Sequence, residues 1–489
     1  MSFRHSRRQF LRRTTAVTVT AFLPTSRTWA TTSTLPQSAV PIPPLDGNLV
    51  LVRDIVDAAA SDFGRFISRQ PFAVLHPGSV TDIEKMVDFA RDQAIKIGGM
   101  GQVGESHSTF GQAQVEAGIV IDMSRLNQIH EIHDDNALVD GGARWLQLLE
   151  QTTPLGKTPP TLTDYVNLSI GGTLSVGGIG GQAFRHGLQV DNVLELEVVT
   201  GRGQLVTCSP TQRPFLFTSV RAGLGQFAVI VRARVRLVDV PPHTRTYTAL
   251  YGDLHTLMSD QELLVQEGRF DYVEGQAVPN QETGSGWLFL LEAVKYFEVG
   301  APPDDHALLA GLTFISGSEQ TVDRSFFDFA NRLAPSVELL IQLGLWQLPH
   351  PWFDMFVPGP EAPRFIQDVL DQETTETMGP GSVILIYPFL KSKVDTRFLA
   401  LPDSEITYLF SLLRTTPPLA DPFDQVQRNR EIYDDLRLIG GKRYAISSVP
   451  FRHDDWQDHF GAQWRLFVLA KVFYDPHNVL TPGQEIFSF

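Results

Sequence analysis

The sequence predicts an α+β chain of two or three domains, and three observations lead there. The chain has 489 residues, more than one small core organises. Ile83, Met86, Val87 and Ala90 recur at helical spacing. Farther on the period becomes two. Val193 to Thr200 and Gln204 to Cys208 read as a hairpin turned by Gly201-Arg202-Gly203. Val229 to Leu237 alternates, with Arg232, Arg234 and Arg236 opposite Val231, Ala233 and Val235. Helices mixed with hairpins point to α+β rather than to a doubly wound parallel sheet.

Composition narrows the partners. Hydrophobic residues make up 43% and charged residues 19%, an ordinary globular balance, and no stretch reaches the apolar length of a spanning helix. The formal net charge is -15. Such a surface repels phosphate backbones, so nucleic acid is not expected as a partner. Cys208 is the single cysteine, so neither an intrachain disulfide nor a cysteine-rich zinc site can form; it reads as a small buried strand residue.

The first 30 residues read as a removable address. Ser6-Arg7-Arg8-Gln9-Phe10-Leu11-Arg12 matches the twin-arginine export signal, an apolar stretch runs from Thr15 to Leu23, and Thr28-Trp29-Ala30 has the small residues of a cleavage site. Cleavage would leave 34 basic against 55 acidic residues, a net charge of -21. A periplasmic or secreted protein is expected. Because this route carries folded proteins, it also favours a cofactor loaded before export. Thr31 to Leu45, rich in Pro, Ser and Thr, reads as a linker, and ordered structure is expected from Asn48.

The helix near residue 80 opens on Ser79, with Thr81 and Glu84 spaced as a capping box, and a strand is expected from Ala94 to Ile97. Gly99-Met100-Gly101-Gln102-Val103-Gly104 then fits the dinucleotide pattern G-x-G-x-x-G, which would mean NAD. That pattern needs a helix starting at the glycines. The next residues, Glu105-Ser106-His107-Ser108-Thr109-Phe110-Gly111-Gln112, are polar and carry no helical repeat, so the context fails. They offer instead a histidine among small residues, where a backbone can approach a flat ligand, with Gln112 as a further donor. Ile119-Val120-Ile121 reads as a buried strand. A second cluster, Gly171 to Gly181, has six glycines in eleven positions, with Leu174, Val176 and Ile179 as anchors. Its amides can form a nest for a diphosphate, to which Ser175 adds a hydroxyl.

These strings together resemble a known group. His107-Ser108-Thr109-Phe110-Gly111-Gln112 is similar to the flavin-attachment loop of vanillyl-alcohol-oxidase-type, or PCMH-type, FAD enzymes. Thr163-Asp164-Tyr165, Gly171 to Ser175, Gly180 to Gly187 and Asn192 to Glu195 resemble the cytokinin dehydrogenases within it. So do Leu224 to Phe227, Phe270 to Gly275, Gly344-Leu345-Trp346, Pro349-His350-Pro351-Trp352, Asp475-Pro476 and Pro482-Gly483-Gln484. The likeness runs from about residue 65 to the C-terminus. It implies a two-domain PCMH-type fold: an FAD-binding domain over 65–240, an inserted substrate domain of antiparallel sheet plus helices over 241–440, and a return over 441–489. Residues 1–30 would be the signal and 31–64 the linker and N-terminal segment.

The resemblance also implies a site. His107 would tether the FAD, with cofactor contacts from Gly104, Glu105, Ser106, Ser108, Gln112, Asp164, Ser169, Ser175, Ile179, Ile230, Tyr444, Thr481 and Gln484. Glu105 and Ser106 replace the usual arginine and glycine; Glu105 is expected to turn its charge away and lend its amide. Val394 stands where an aromatic is expected. Asp164 maps onto the catalytic aspartate. Oxidising a secondary amine removes a hydride and an N–H proton, and a carboxylate shielded from water suits the second task. Glu292 lies in the strand-like Trp287 to Val294, on the face of Leu288, Leu290 and Val294, where a carboxylate needs a partner. The resemblance implies that it binds the purine.

The expected reaction converts an N6-substituted adenine such as isopentenyladenine to an imine, which water splits into adenine and an aldehyde. A quinone or oxygen would take the electrons, and the protein would be a monomer. Three alternatives stay open: a covalent-flavin oxidase of an alcohol, sugar or other amine; an exported binding protein that retains the fold; and the NAD enzyme. Trp346 and Trp352 are candidate pocket walls. His130 and His133 read as exposed edge residues, and no metal site is expected.

Overall fold

The structure, a computed structural model, describes residues 19, 21–30 and 38–487. The twin-arginine motif at 6–12 lies outside these residues. Thr28–Ala30, the expected cleavage site, pairs antiparallel with Ala21–Leu23, which also pairs with Val40–Pro41. Phe22 is buried against Trp29 and Phe89, so cleavage after Ala30 would remove a packed hairpin. The stretch expected to be a linker is thus in part a strand, because Val40, Ile42 and Leu45 pack on the same core.

Two sheets organise the first half. In the four-stranded one, Asn48–Val50 lies beside Ala73–His76, then Ile119–Asp122, then Ile97–Met100, the last three parallel. The helix Val80–Asp92 buries Ile83, Met86, Val87 and Ala90 against it, as the spacing predicts. Its N-terminus departs from the expected capping box. Glu84 accepts from Leu205 N at 3.0 Å, and the buried Asp82 accepts from the amides of Asp46, Gly47 and Gly78 at 2.7–2.8 Å. The strand expected at 94–97 starts at Ile97, since Ala94 takes a positive φ of 51° in the turn before it. Gly99 and Met100 end that strand and no helix follows, so the structural requirement of the NAD pattern is absent.

The second sheet is antiparallel and five-stranded: Leu205–Cys208, Val193–Thr200, Ala228–Arg236, Asn136–Asp140 and Ile129–Ile132. The hairpin and the alternating strand fall where the sequence puts them. Arg232 reaches Asp140 and Glu197 at 3.2 and 3.0 Å on the polar face. His130 sits on the edge strand and His133 just past its end.

An eight-stranded antiparallel sheet takes its strands from residues 243–443. The order is Gln320–Ser325, His243–Tyr251, Trp287–Phe297, Tyr272–Pro279, Val383–Leu390, Ile406–Leu413, Phe353–Pro358 and Lys442–Arg443. One face is apolar: Tyr247, Ala249, Val273, Ala277, Leu291 and Ala293 are buried there, and Leu254–Glu267 packs on it through Leu257, Leu264 and Val265. By strict alternation the other face carries Thr246, Thr248, Glu274, Gln276 and Glu292. Among the described residues, no helix is long and apolar enough to cross a membrane.

The chain then returns to the first sheets. Helix Trp464–Tyr474 leads to Leu480, which bridges to Ile97. Asp475 sets this turn: it accepts from Lys471 Nζ at 2.8 Å and from the amides of Val479 and Leu480 at 2.9 Å each, with both side chains of the ion pair fully buried. Replacing Asp475 with Ala strands a buried ammonium and two amides. A loss of about 3–5 kcal/mol is expected, read as a lower urea midpoint, with Asp475→Asn intermediate; an unshifted midpoint would rule the role out.

Candidate active site

A cavity of about 810 Å³ lies between the polar face of the eight-stranded sheet and the loops of the first half. Every predicted cofactor residue except Gly104 lines it: Glu105, Ser106, His107, Ser108, Gln112, Asp164, Ser169, Ser175, Ile179, Ile230, Tyr444, Thr481 and Gln484. Gly104 is exposed and shapes the turn before them, with φ 80°. Glu292, Trp346 and Trp352 line the same space, but Val394 does not; it packs on the core instead.

His107 is held by stacked rings. Phe63 lies on it with centroids 4.3 Å apart, and His350 covers the other face of Phe63 at 4.2 Å. Tyr165, Trp346 and Trp352 close around the imidazole at 4.9, 5.7 and 6.2 Å. Burial drives its pKa down to about 3, with the His350 side adding to the effect. The ring is therefore neutral at physiological pH and keeps a lone pair. Asp62 fixes the loop beyond it, accepting from Gly111 N at 2.7 Å and Ser108 Oγ at 3.0 Å; burial raises this acid to about 6.

Two residues expected to face the ligand are spent elsewhere. Gln112 donates from Nε2 to the carbonyls of Ile446 and Ser447 at 3.0 and 3.3 Å and accepts from Phe110 N, so it latches the loop to the returning chain. Ser175 donates back to Gly171 O at 2.7 Å, because Ile170–Val176 is a short helix rather than an open nest. The exposed Glu105 pairs with Arg144 at 3.0 Å, and Arg144 also binds Asn167 at 2.9 Å. Arg144 lines the cavity.

Past the glycines the wall opens to a ligand. A Cβ on Gly99 would meet nothing within 4 Å, whereas on Gly101 or Gly172 it would strike Ser169 Oγ. Gln484 presents a buried Oε1 with no hydrogen-bond partner. Tyr444 accepts from Gly178 N at 2.9 Å through its phenol. Close backbone approach, an orphaned acceptor, the Arg144 cation and aromatic walls fit a large, flat, phosphate-bearing group such as FAD.

Opposite this wall the acids gather. Asp164 Oδ1 accepts from Tyr272 at 2.7 Å and from Arg332 at 2.8 Å. Arg332 Nε lies 3.2 Å from Glu292 Oε1, without the alignment of a hydrogen bond. Glu274 faces Glu292 directly across the strand pair, and its Oε2 is 3.8 Å from Arg332. The sequence reading missed Glu274, Arg332, Tyr272 and Phe63. Alternation along Tyr272–Pro279 puts Glu274 on the face of Gln276, a usable signal; Arg332 follows a short helix with no pattern to mark it.

The comparisons with known proteins agree on the kind of site. The family model described as "Cytokinin dehydrogenase 1, FAD and cytokinin binding" matches residues 280–487, and an FAD binding domain matches 71–209. Cytokinin dehydrogenase 8 of Oryza sativa is 38% identical, with 88% of this chain and 91% of that protein covered. Cytokinin dehydrogenase 2 of Arabidopsis thaliana is 33% identical over 90% and 94%. An uncharacterized oxidoreductase of the Rhodococcoides fascians fasciation locus is 36% identical over 88% and 96%. Among solved structures, 6-hydroxy-D-nicotine oxidase from Arthrobacter nicotinovorans superposes with a TM-score of 0.69 at 21% identity, covering 91% of this chain and 98% of that one. A VAO-type flavoprotein from Myceliophthora thermophila gives 0.66 at 17%, covering 86% and 80%. These two share the fold.

His350 gives this wall a pH signature. Burial lowers its pKa from 6.5 to about 4. The unfolded chain takes up the proton first, so this contribution to stability is complete above pH 6.5 and is lost as pH falls towards about 4. Urea midpoints across that window should slope less in His350→Gln than in the wild type; equal slopes would exclude the effect.

Proposed function

Because the chain belongs to the cytokinin dehydrogenase family and is an FAD-dependent oxidoreductase, we propose that it oxidises the secondary amine of N6-substituted adenines. The observation that carries this reading is one cavity lined both by His107, wrapped in aromatic rings, and by the carboxylates of Asp164 and Glu292. A neutral imidazole is the form able to bond the flavin ring, so His107 is the covalent anchor in this reading. The residues 104–108, Ser169, Ile179, Ile230, Thr481 and Gln484 would hold FAD. FAD, when bound, supplies the hydride acceptor.

The protein's part is to bind, orient and manage the proton. Trp346 and Trp352 offer flat walls to the purine, and Glu292 accepts from a purine N–H. Tyr272 and Arg332 both engage Asp164 through Oδ1, which leaves Oδ2 to take the amine N–H proton. Loss of that proton and of a hydride from the adjacent carbon leaves the imine. Water then divides it into adenine and an aldehyde, and a quinone or oxygen takes the electrons. The apolar walls keep water from the reacting carbon until then. We read the protein as a monomer, and the 6–12 segment as an export signal that delivers it loaded to the periplasm or beyond.

Incubation with isopentenyladenine and a quinone should release adenine; brisk oxidation of an alcohol with no adenine would sink the reading. Acid-precipitated protein should stay yellow, and His107→Ala should shed the colour. Asp164→Asn should keep its flavin yet slow flavin reduction by about 10²–10⁴-fold. Reduction at the wild-type rate would remove Asp164 as the base.

A further inference from the structure

Three carboxylates surround one guanidinium at the sheet side of the cavity. Asp164 comes from the loop before the Ile170–Val176 helix, Glu274 and Glu292 from adjacent strands in direct register, and Arg332 from the end of the short helix Phe326–Ala330. Arg332 itself lies against the rings of Tyr272 and Phe329 at 5.0 and 4.7 Å, which meet edge to face at 5.2 Å. That aromatic corner seats the guanidinium, and its planar fork can then address two carboxylates, Asp164 through Nη2 and Glu292 through Nε. We propose that Arg332 is a positioning residue for the oxidation, clamping Asp164 and Glu292 in their working places and supplying the positive charge that both face.

The charge count bears on the third carboxylate, Glu274. Three anions on one cation would leave an uncompensated double negative charge out of water, which is costly. Glu274 is the most deeply buried of the three, with an Oε1 that has no partner. Burial raises its pKa well above the ordinary value, and Asp164 and Glu292 push the same way. Burial alone would lower Arg332, but Tyr272 and the carboxylates outweigh it and hold the guanidinium charged. The other groups facing the cluster are Tyr296 on the Glu292 strand, Tyr387 on the strand beyond that of Glu274, and Arg324, which donates to Thr246 at 3.4 Å. The two tyrosines are raised by burial and stay neutral.

This inference rests on Asp164 as the proton acceptor. The test is flavin reduction by isopentenyladenine, followed across pH in the flavin-loaded wild type, Arg332→Met and Arg332→Lys. Removing the cation favours the protonated form of the facing carboxylates. The acid limb of the rate should therefore move up by about one pH unit or more in Arg332→Met, with the plateau down roughly a hundredfold. Arg332→Lys restores the charge but not the two-directional fork, so the limb should return while the plateau stays low. An acid limb that stays put in Arg332→Met, or a wild-type plateau in Arg332→Lys, would overturn the role. Should Arg332→Met not load flavin, Arg332→Lys decides alone: a lowered plateau supports the clamp and a wild-type plateau refutes it. A wild type that isopentenyladenine does not reduce would instead refute the functional reading itself.

Discussion

Residues 444–448 form a seam on which the rest of the site depends. Tyr444 N and Ser447 Oγ both donate to the carbonyl of Asp354, at 2.8 and 3.0 Å, and Ser448 N donates to Trp352 O, which fixes the strip to the eight-stranded sheet. The same strip receives Gln112 and Thr109 from the His107 loop, and its tyrosine accepts from Gly178 N. Ser448 Oγ returns a hydrogen bond to Thr109 O at 2.9 Å. Nearly all of these groups are buried, so each bond lost would leave a polar atom unsatisfied. The cavity has two walls in register because this one strip is bonded to both.

The two walls solve different electrostatic problems. On the flavin side His107 and His350 lie among rings, and burial outweighs the backbone hydrogen bonds that would favour their charged forms. On the sheet side charge is kept, because Arg332 lies within reach of three acids and a phenol. One wall can thus meet a flat neutral ring while the other presents charge, and both line one cavity.

Much of this was legible in the sequence. Helical spacing at 83–90, the hairpin at 193–208 and the alternation at 229–237 are local patterns, and local packing honours them. Asp164, Glu292 and nearly all the residues expected to hold the cofactor line one cavity, and the strings that carry them are long enough to be distinctive. What the sequence hid is non-local. The Gly171 stretch became a helix once Ile170 and Leu174 found a core, and Gln112 turned to carbonyls some 330 positions away. Glu84 left its own helix end for Leu205, a strand more than 100 residues on. Arg332 could not be read at all, since its meaning comes from three partners on three other segments.

The ring stack at His107 bears on the order of biogenesis. Phe63 follows the helix Arg53–Ala59, while His350, Trp346 and Trp352 lie almost 300 positions on, and Thr481 and Gln484 more than 400. A ribosome must therefore have released the chain as far as Gln484 before this enclosure exists. A translation product that stops short of these segments lacks the finished berth, and a group enclosed there must be taken up after segments so distant in the chain have met.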